Sequence, residues 1–269
     1  MRTRVVTQFF SVFVCSFISS ARGTLITFAY DETNIFIAAD SRIVKDGKAI
    51  DDACKIKQVG PWFMARAGWF ETRPSTKTIQ DRLVEADPLG LDLPKTVANM
   101  KTNIANEFTF LVKANKSLYP ETYSNIVGGP GELADVLVCG FKDGKPCIEL
   151  TFWKLRFENN GDPFVTAELD KFPTAPKGRV FQVLGQNGAI RNAMEKDPRF
   201  LLQHPDSAEL LRYCAELELR SLPSSDPKQY VGTPIEIIHI TNRRVEWIQK
   251  SPHCEDILTF ETLKKGTGR

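Results

Sequence analysis

Residues 24–42 read Thr-Leu-Ile-Thr-Phe-Ala-Tyr-Asp-Glu-Thr-Asn-Ile-Phe-Ile-Ala-Ala-Asp-Ser-Arg. Two apolar runs, Leu25–Tyr30 and Asn34–Ala39, flank the turn residues Asp31-Glu32-Thr33, which predicts a β-hairpin. Asp40 follows the second run directly and so falls at the end of a strand expected to be buried. An unpartnered carboxylate there is costly, so Asp40 is expected to have a partner. Capping a strand end is the plainer role for such a residue.

Outward from Thr24 toward the N-terminus, residues 1–23 read as a signal peptide. Arg2 and Arg4 form a basic start, Phe9 to Ile18 an apolar core, and Ala21-Arg22-Gly23 puts small residues at −3 and −1 of a cut before Thr24. A self-cleaved propeptide is the alternative, and glycine before Thr24 suits both routes. The apolar core is too short for a hydrocarbon layer of about 30 Å. The expected location is therefore secreted or periplasmic, with no membrane attachment once the leader is gone.

Removal of the leader would leave Thr24 with a free α-amino group beside its own hydroxyl. Such an amine, with a pKa near ~8, accepts a proton at neutral pH, whereas a lysine near ~10.4 is mostly charged. A threonine so exposed carries its own general base. The plain alternative for Thr24 is a β-branched residue opening a strand.

The formal charge of the whole chain is +2, and the leader contributes three arginines (Arg2, Arg4, Arg22) and no acid. The remainder is near neutrality and has no extended basic run, so no nucleic-acid partner is expected. Residues 24–269 suffice for one large domain. Beyond Cys15 in the leader, Cys54, Cys139, Cys147, Cys214 and Cys254 are widely spaced, without the pattern of a zinc site. Cys139 and Cys147 flank a turn and either face each other across a hairpin or, the favoured expectation, remain buried free thiols. Neither metal nor cofactor is expected.

Strands are expected at Lys55–Val59 and Trp62–Ala67 about a Gly60-Pro61 turn, and helices at Thr76–Ala86 and Leu93–Lys113. A second β-block follows at Asp135–Phe141, Cys147–Phe157, Phe164–Phe172 and Val180–Leu184. Helices over 188–222, broken by Pro198 and Pro205, lead to final strands Ile235–Thr241 and Arg244–Lys250. This order predicts an α+β fold, a four-layer αββα sandwich with two antiparallel sheets between helical layers.

The opening threonine, the hairpin, Ala38-Ala39-Asp40-Ser41-Arg42, a lysine some fifteen residues on and Ala65-Arg66-Ala67-Gly68-Trp69 before a helix resemble the proteasome β-subunit branch of the N-terminal nucleophile hydrolases. Tyr230-Val231-Gly232-Thr233-Pro234-Ile235 also resembles that family's penultimate strand. The resemblance implies a threonine-type peptidase or amidohydrolase in an exported branch of the superfamily. Thr24 would be the nucleophile, Asp40 the acid near it, Lys55 the cation that lowers the pKa of the hydroxyl, and the Gly68 N–H the oxyanion donor. Lys57, one step beyond the family spacing as Lys55 is one short of it, stays open as the alternative lysine, and Arg42 is expected to be structural.

The chain departs from the family in its expected leader, since proteasome subunits work inside cells, and in two further places. Gly185 is followed by Gln186 where the family has serine, and Lys228 and Val231 stand where it has Asp and Ser, with Asp226 nearby. The resemblance implies as partner a peptide or a small amide, the latter making the protein an amidase or acylase, and ring-forming relatives leave a homo-oligomer open. A catalytically silent structural subunit is the third reading. His239 is expected to be an ordinary strand residue.

Overall fold

The computed structural model describes residues 24–45, 48–50, 54–68, 79–128, 131–185, 187–221 and 231–258. The expected leader, residues 1–23, lies outside them, as do Gln186, Asp226 and Lys228. In chain order the strands are β1 (Leu25–Tyr30), β2 (Asn34–Asp40), β3 (Ile43–Lys45), β4 (Lys48–Ile50), β5 (Ile56–Val59), β6 (Trp62–Gly68), β7 (Glu132–Lys142), β8 (Lys145–Phe157), β9 (Pro163–Lys171), β10 (Val180–Gly185), β11 (Ile235–Thr241) and β12 (Val245–Gln249). Helices α1 (Ile79–Ala86), α2 (Leu93–Leu118) and α3 (Pro120–Val127) follow β6, and α4 (Gly188–Lys196), α5 (Phe200–Gln203) and α6 (Ser207–Ser221) follow β10.

The hairpin of residues 24–42 forms as expected, with Ile26 opposite Ala39 and Tyr30 opposite Ile35. Asp31 closes its turn: Oδ1 accepts the N–H groups of Thr33 and Asn34, each at 2.8 Å, the local bonding that suits aspartate to turns. The hairpin is central to a sheet of order β10-β1-β2-β11-β12, and a second five-stranded sheet runs β5-β6-β7-β8-β9. All pairings in both sheets are antiparallel. The α+β class is therefore observed, with two antiparallel sheets and helices.

Alternation along the strands sends successive side chains to opposite faces and explains three cores. Ile26, Phe28 and Ile37 of the first sheet meet Phe63, Leu137 and Phe152 of the second. On the other face of the first sheet, Leu25, Ala38 and Ile237 pack with Ile190, Leu210 and Leu211 of the helices after β10. On the other face of the second, Met64, Val136 and Trp153 pack with Leu83, Val97 and Phe108 of α1 and α2. Complete burial of a side chain such as Phe28 contributes roughly 1.5–3 kcal/mol.

Several boundaries differ from expectation. Helix α2 continues past Lys113 to Leu118, and the unexpected α3 begins with Pro120, whose missing N–H has no helical partner to lose at a first position. The short hairpin β3–β4 is not among the strands expected individually. Cys54 and Cys254, to which no pairing was assigned from the sequence, form a disulfide across 200 positions. Cys139 and Cys147 remain thiols because Cys139 faces Ile148 while Cys147 faces Gly140, which places them on adjacent rungs and opposite faces. Among the described residues, no helix is long and apolar enough to cross a membrane.

Candidate active site

Thr24 stands immediately before β1 and Asp40 ends β2, so the hairpin register alone brings the two together. Lys55 stands immediately before β5, in the other sheet, and its side chain crosses between the sheets. Its ammonium donates to Asp40 Oδ1 at 2.8 Å and to Thr24 Oγ1 at 3.1 Å. Thr24 is 2% exposed, and Asp40 and Lys55 are wholly buried. Of the two candidate lysines, Lys55 is therefore the one that reaches Thr24 and Asp40. Lys57 is half-buried and lines a separate cleft of about 290 Å³ with Gln58, Arg66 and Trp247.

The partner expected for Asp40 is present, together with three backbone donors. Leu25 N–H donates to Oδ1 at 2.8 Å, and the N–H groups of Arg42 and Gly232 donate to Oδ2 at 3.1 and 3.2 Å. Val231 is buried in the core against the helices. Burial raises the aspartate's pKa and lowers the lysine's, and in each case the partner's charge is the main force opposing the shift. A buried pair of this kind is tolerable only with such complete hydrogen bonding.

One glycine packs directly against the threonine. Gly185 pairs with Leu25, has φ +73°, and sits so close to the preceding residue that an added Cβ would lie 1.7 Å from the Thr24 carbonyl oxygen. The same point is 3.5 Å from the Ala67 side chain, so β6 reaches this end of the site. Gly68 ends β6 at φ +93°, opposite Ala134.

Glu236 was not anticipated. It is wholly buried on β11 opposite Ala39, and its Oε2 accepts the Lys55 backbone N–H at 3.2 Å. Burial pushes it up to about 8, against the pull of the Lys55 N–H and charge. One signal for it was legible: an acid inside the apolar run Ile235-Glu236-Ile237-Ile238. The sulfurs of Cys54 and Cys254 lie with its carboxylate within 4.8 Å, but they are bonded to each other and offer no thiolate pair to a metal.

A second acid pair lies across β6. Asp135 faces Ala67 in the ladder, is wholly buried, and receives no hydrogen bond from a donor at either oxygen. Glu132 lies beside it, and the closeness of two buried acids favours a retained proton on the pair. Burial pushes Glu132 up to about 7 and Asp135 well above the usual carboxylate range, with the neighbouring acid adding to the latter. His239 is a strand residue as expected, stacked on Phe36 at 4.2 Å between ring centres and bonded to Asn34 Oδ1 at 2.9 Å.

No protein-family model matches this chain, and no curated protein is significantly similar to it.

Proposed function

We propose that this protein is an N-terminal threonine hydrolase that cleaves an amide bond, that of a peptide, through an acyl-enzyme on Thr24. The single observation that carries the reading is the buried relay from Thr24 Oγ1 to Lys55 Nζ to Asp40 Oδ1, at 3.1 and 2.8 Å. The relay joins residues from two sheets, and a scaffold would gain nothing from its burial. The two sheets with helical cores on their outer faces are compatible with the four-layer sandwich of N-terminal nucleophile hydrolases. The disulfide suits an oxidising compartment and so supports export.

In the proposed reaction, cleavage after Gly23 frees the Thr24 amine, which takes the proton of its own hydroxyl. The Lys55 ammonium, held by Asp40, stabilises the oxygen as it gains charge and so lowers the cost of deprotonation. Oγ attacks the scissile carbonyl, and the Gly68 N–H serves the developing oxyanion, where one donor contributes ~3 kcal/mol. The amine product leaves with the transferred proton. Water then adds to the ester, the α-amine again accepts the proton, and the acid product and Thr24 are released.

Two measurements on protein from its native compartment test this. N-terminal sequencing should begin at Thr24, and a β-lactone or epoxyketone should add covalently to wild type and leave Thr24→Ala unmodified. A mature chain beginning elsewhere, or unchanged labelling of the variant, overturns the reading.

A further inference from the structure

The backbone that presents Lys55 is held mainly from outside its own strand. The β5–β6 ladder begins at Ile56, opposite Ala65, one residue after the lysine. Lys55 N–H donates instead to Glu236 Oε2 at 3.2 Å, from β11 of the other sheet. Its neighbour Cys54 is bonded to Cys254, and Cys54 Sγ lies 3.7 Å from that same carboxylate oxygen. The segment carrying Cys254 is itself tied down: Leu258 N–H donates to Gln58 Oε1 at 2.8 Å and Gln58 Nε2 donates to Leu258 O at 3.0 Å. Cys254 is 5% exposed and Ser251 is wholly buried, so the segment is packed rather than draped.

These ties bear on reactivity through one side chain. The Lys55 ammonium has hydrogen bonds to both Thr24 and Asp40, so a small displacement of its backbone changes both. We infer that Glu236 and the Cys54–Cys254 disulfide together position Lys55, and that opening this disulfide with a dithiol slows acylation of Thr24. The inference rests on the function proposed above. The step is balanced: a dithiol delivers two electrons and two protons, the sulfur–sulfur bond breaks, Cys54 and Cys254 become thiols, and the reductant closes to its own disulfide. The Cys54 thiol so formed can donate to Glu236 Oε2, in competition with the Lys55 N–H. Neither Glu236 nor the cysteines touch the reacting atoms, so they are positioning residues.

The test measures kinact and KI for a β-lactone on protein shown to begin at Thr24, before and after dithiothreitol, with the gain of two hydrogens confirmed by mass. A misplaced cation near a nucleophile costs on the order of 10²-fold, so kinact should fall by about that factor. KI should stay within about twofold, as for a group whose contribution is made in the transition state. Reoxidation should restore kinact, which separates positioning from unfolding. Cys254→Ser should start at the reduced value and not respond to dithiothreitol, although Cys139, Cys147 and Cys214 remain. Glu236→Ala should lower kinact further, with Glu236→Gln, which keeps an acceptor oxygen, recovering part of the loss. Unchanged kinact in protein whose disulfide is shown to be open overturns the inference alone. Absence of labelling in both redox states overturns the proposed function beneath it.

Discussion

Asp40 and Asp135 are both wholly buried carboxylates at the Thr24 end of the molecule, yet their surroundings differ in kind. Asp40 has a lysine and three backbone N–H groups directed at it. Asp135 has no donor on either oxygen and a second acid, Glu132, alongside. The first arrangement keeps a charge inside the protein; the second removes one by keeping a proton. A site that must hold a cation against a hydroxyl needs the first kind. The second kind makes stability depend on pH.

The largest effect should come from breaking the first arrangement. Lys55→Met leaves Asp40 buried without its cation and should destabilise the fold by about 3–5 kcal/mol, measured by urea unfolding. It should also abolish β-lactone labelling. A loss below about 1 kcal/mol would mean that the backbone donors alone satisfy Asp40. Gly185→Ala should come next, at roughly 2–4 kcal/mol, because the new methyl meets the Thr24 carbonyl at a positive φ. Thermal melts would show it, and an unshifted midpoint would show that β10 can move away from Thr24.

The contrast sharpens with Asp135→Asn. Glu132 has its folded pKa raised from 4.5 to about 7, so its contribution is complete below about pH 4.5 and is lost as pH rises through 7. Asp135, also raised, adds a loss of the same sign. Unfolding free energy should therefore fall between pH 5 and pH 8 in wild type, and Asp135→Asn should flatten that fall. Equal pH slopes in the two proteins would show that the acids do not share a proton. Smallest of all, Lys57→Met should change stability by less than about 0.5 kcal/mol and leave labelling intact, in contrast to Lys55→Met.

Much of the site was legible from local patterns. An apolar run ending in Asp40 implied burial, and burial implied a partner. The hairpin turn at Asp31 implied the register that sets Asp40 beside the residues preceding β1. What escaped were contributions from distant chain: Glu236 under Lys55, the Gly232 N–H on Asp40, and the Cys54–Cys254 bond. Each depends on how one sheet is placed against a remote segment, and no spacing in the chain encodes that distance. The sequence favoured Lys55 but left Lys57 open for the same reason. Alternation treats them alike, and only the start of the β5–β6 ladder at Ile56 distinguishes them.

The order and type of most elements, the hairpin at the N-terminal end of the described chain and the need of Asp40 for a partner follow from the sequence by itself, because periodicity and turn chemistry act over a few residues. Which lysine reaches the threonine, which acids keep their protons and which cysteines join were decided by the tertiary structure. Those outcomes depend on desolvation and on contacts of about 3 Å between segments far apart in the chain, and only packing sets them.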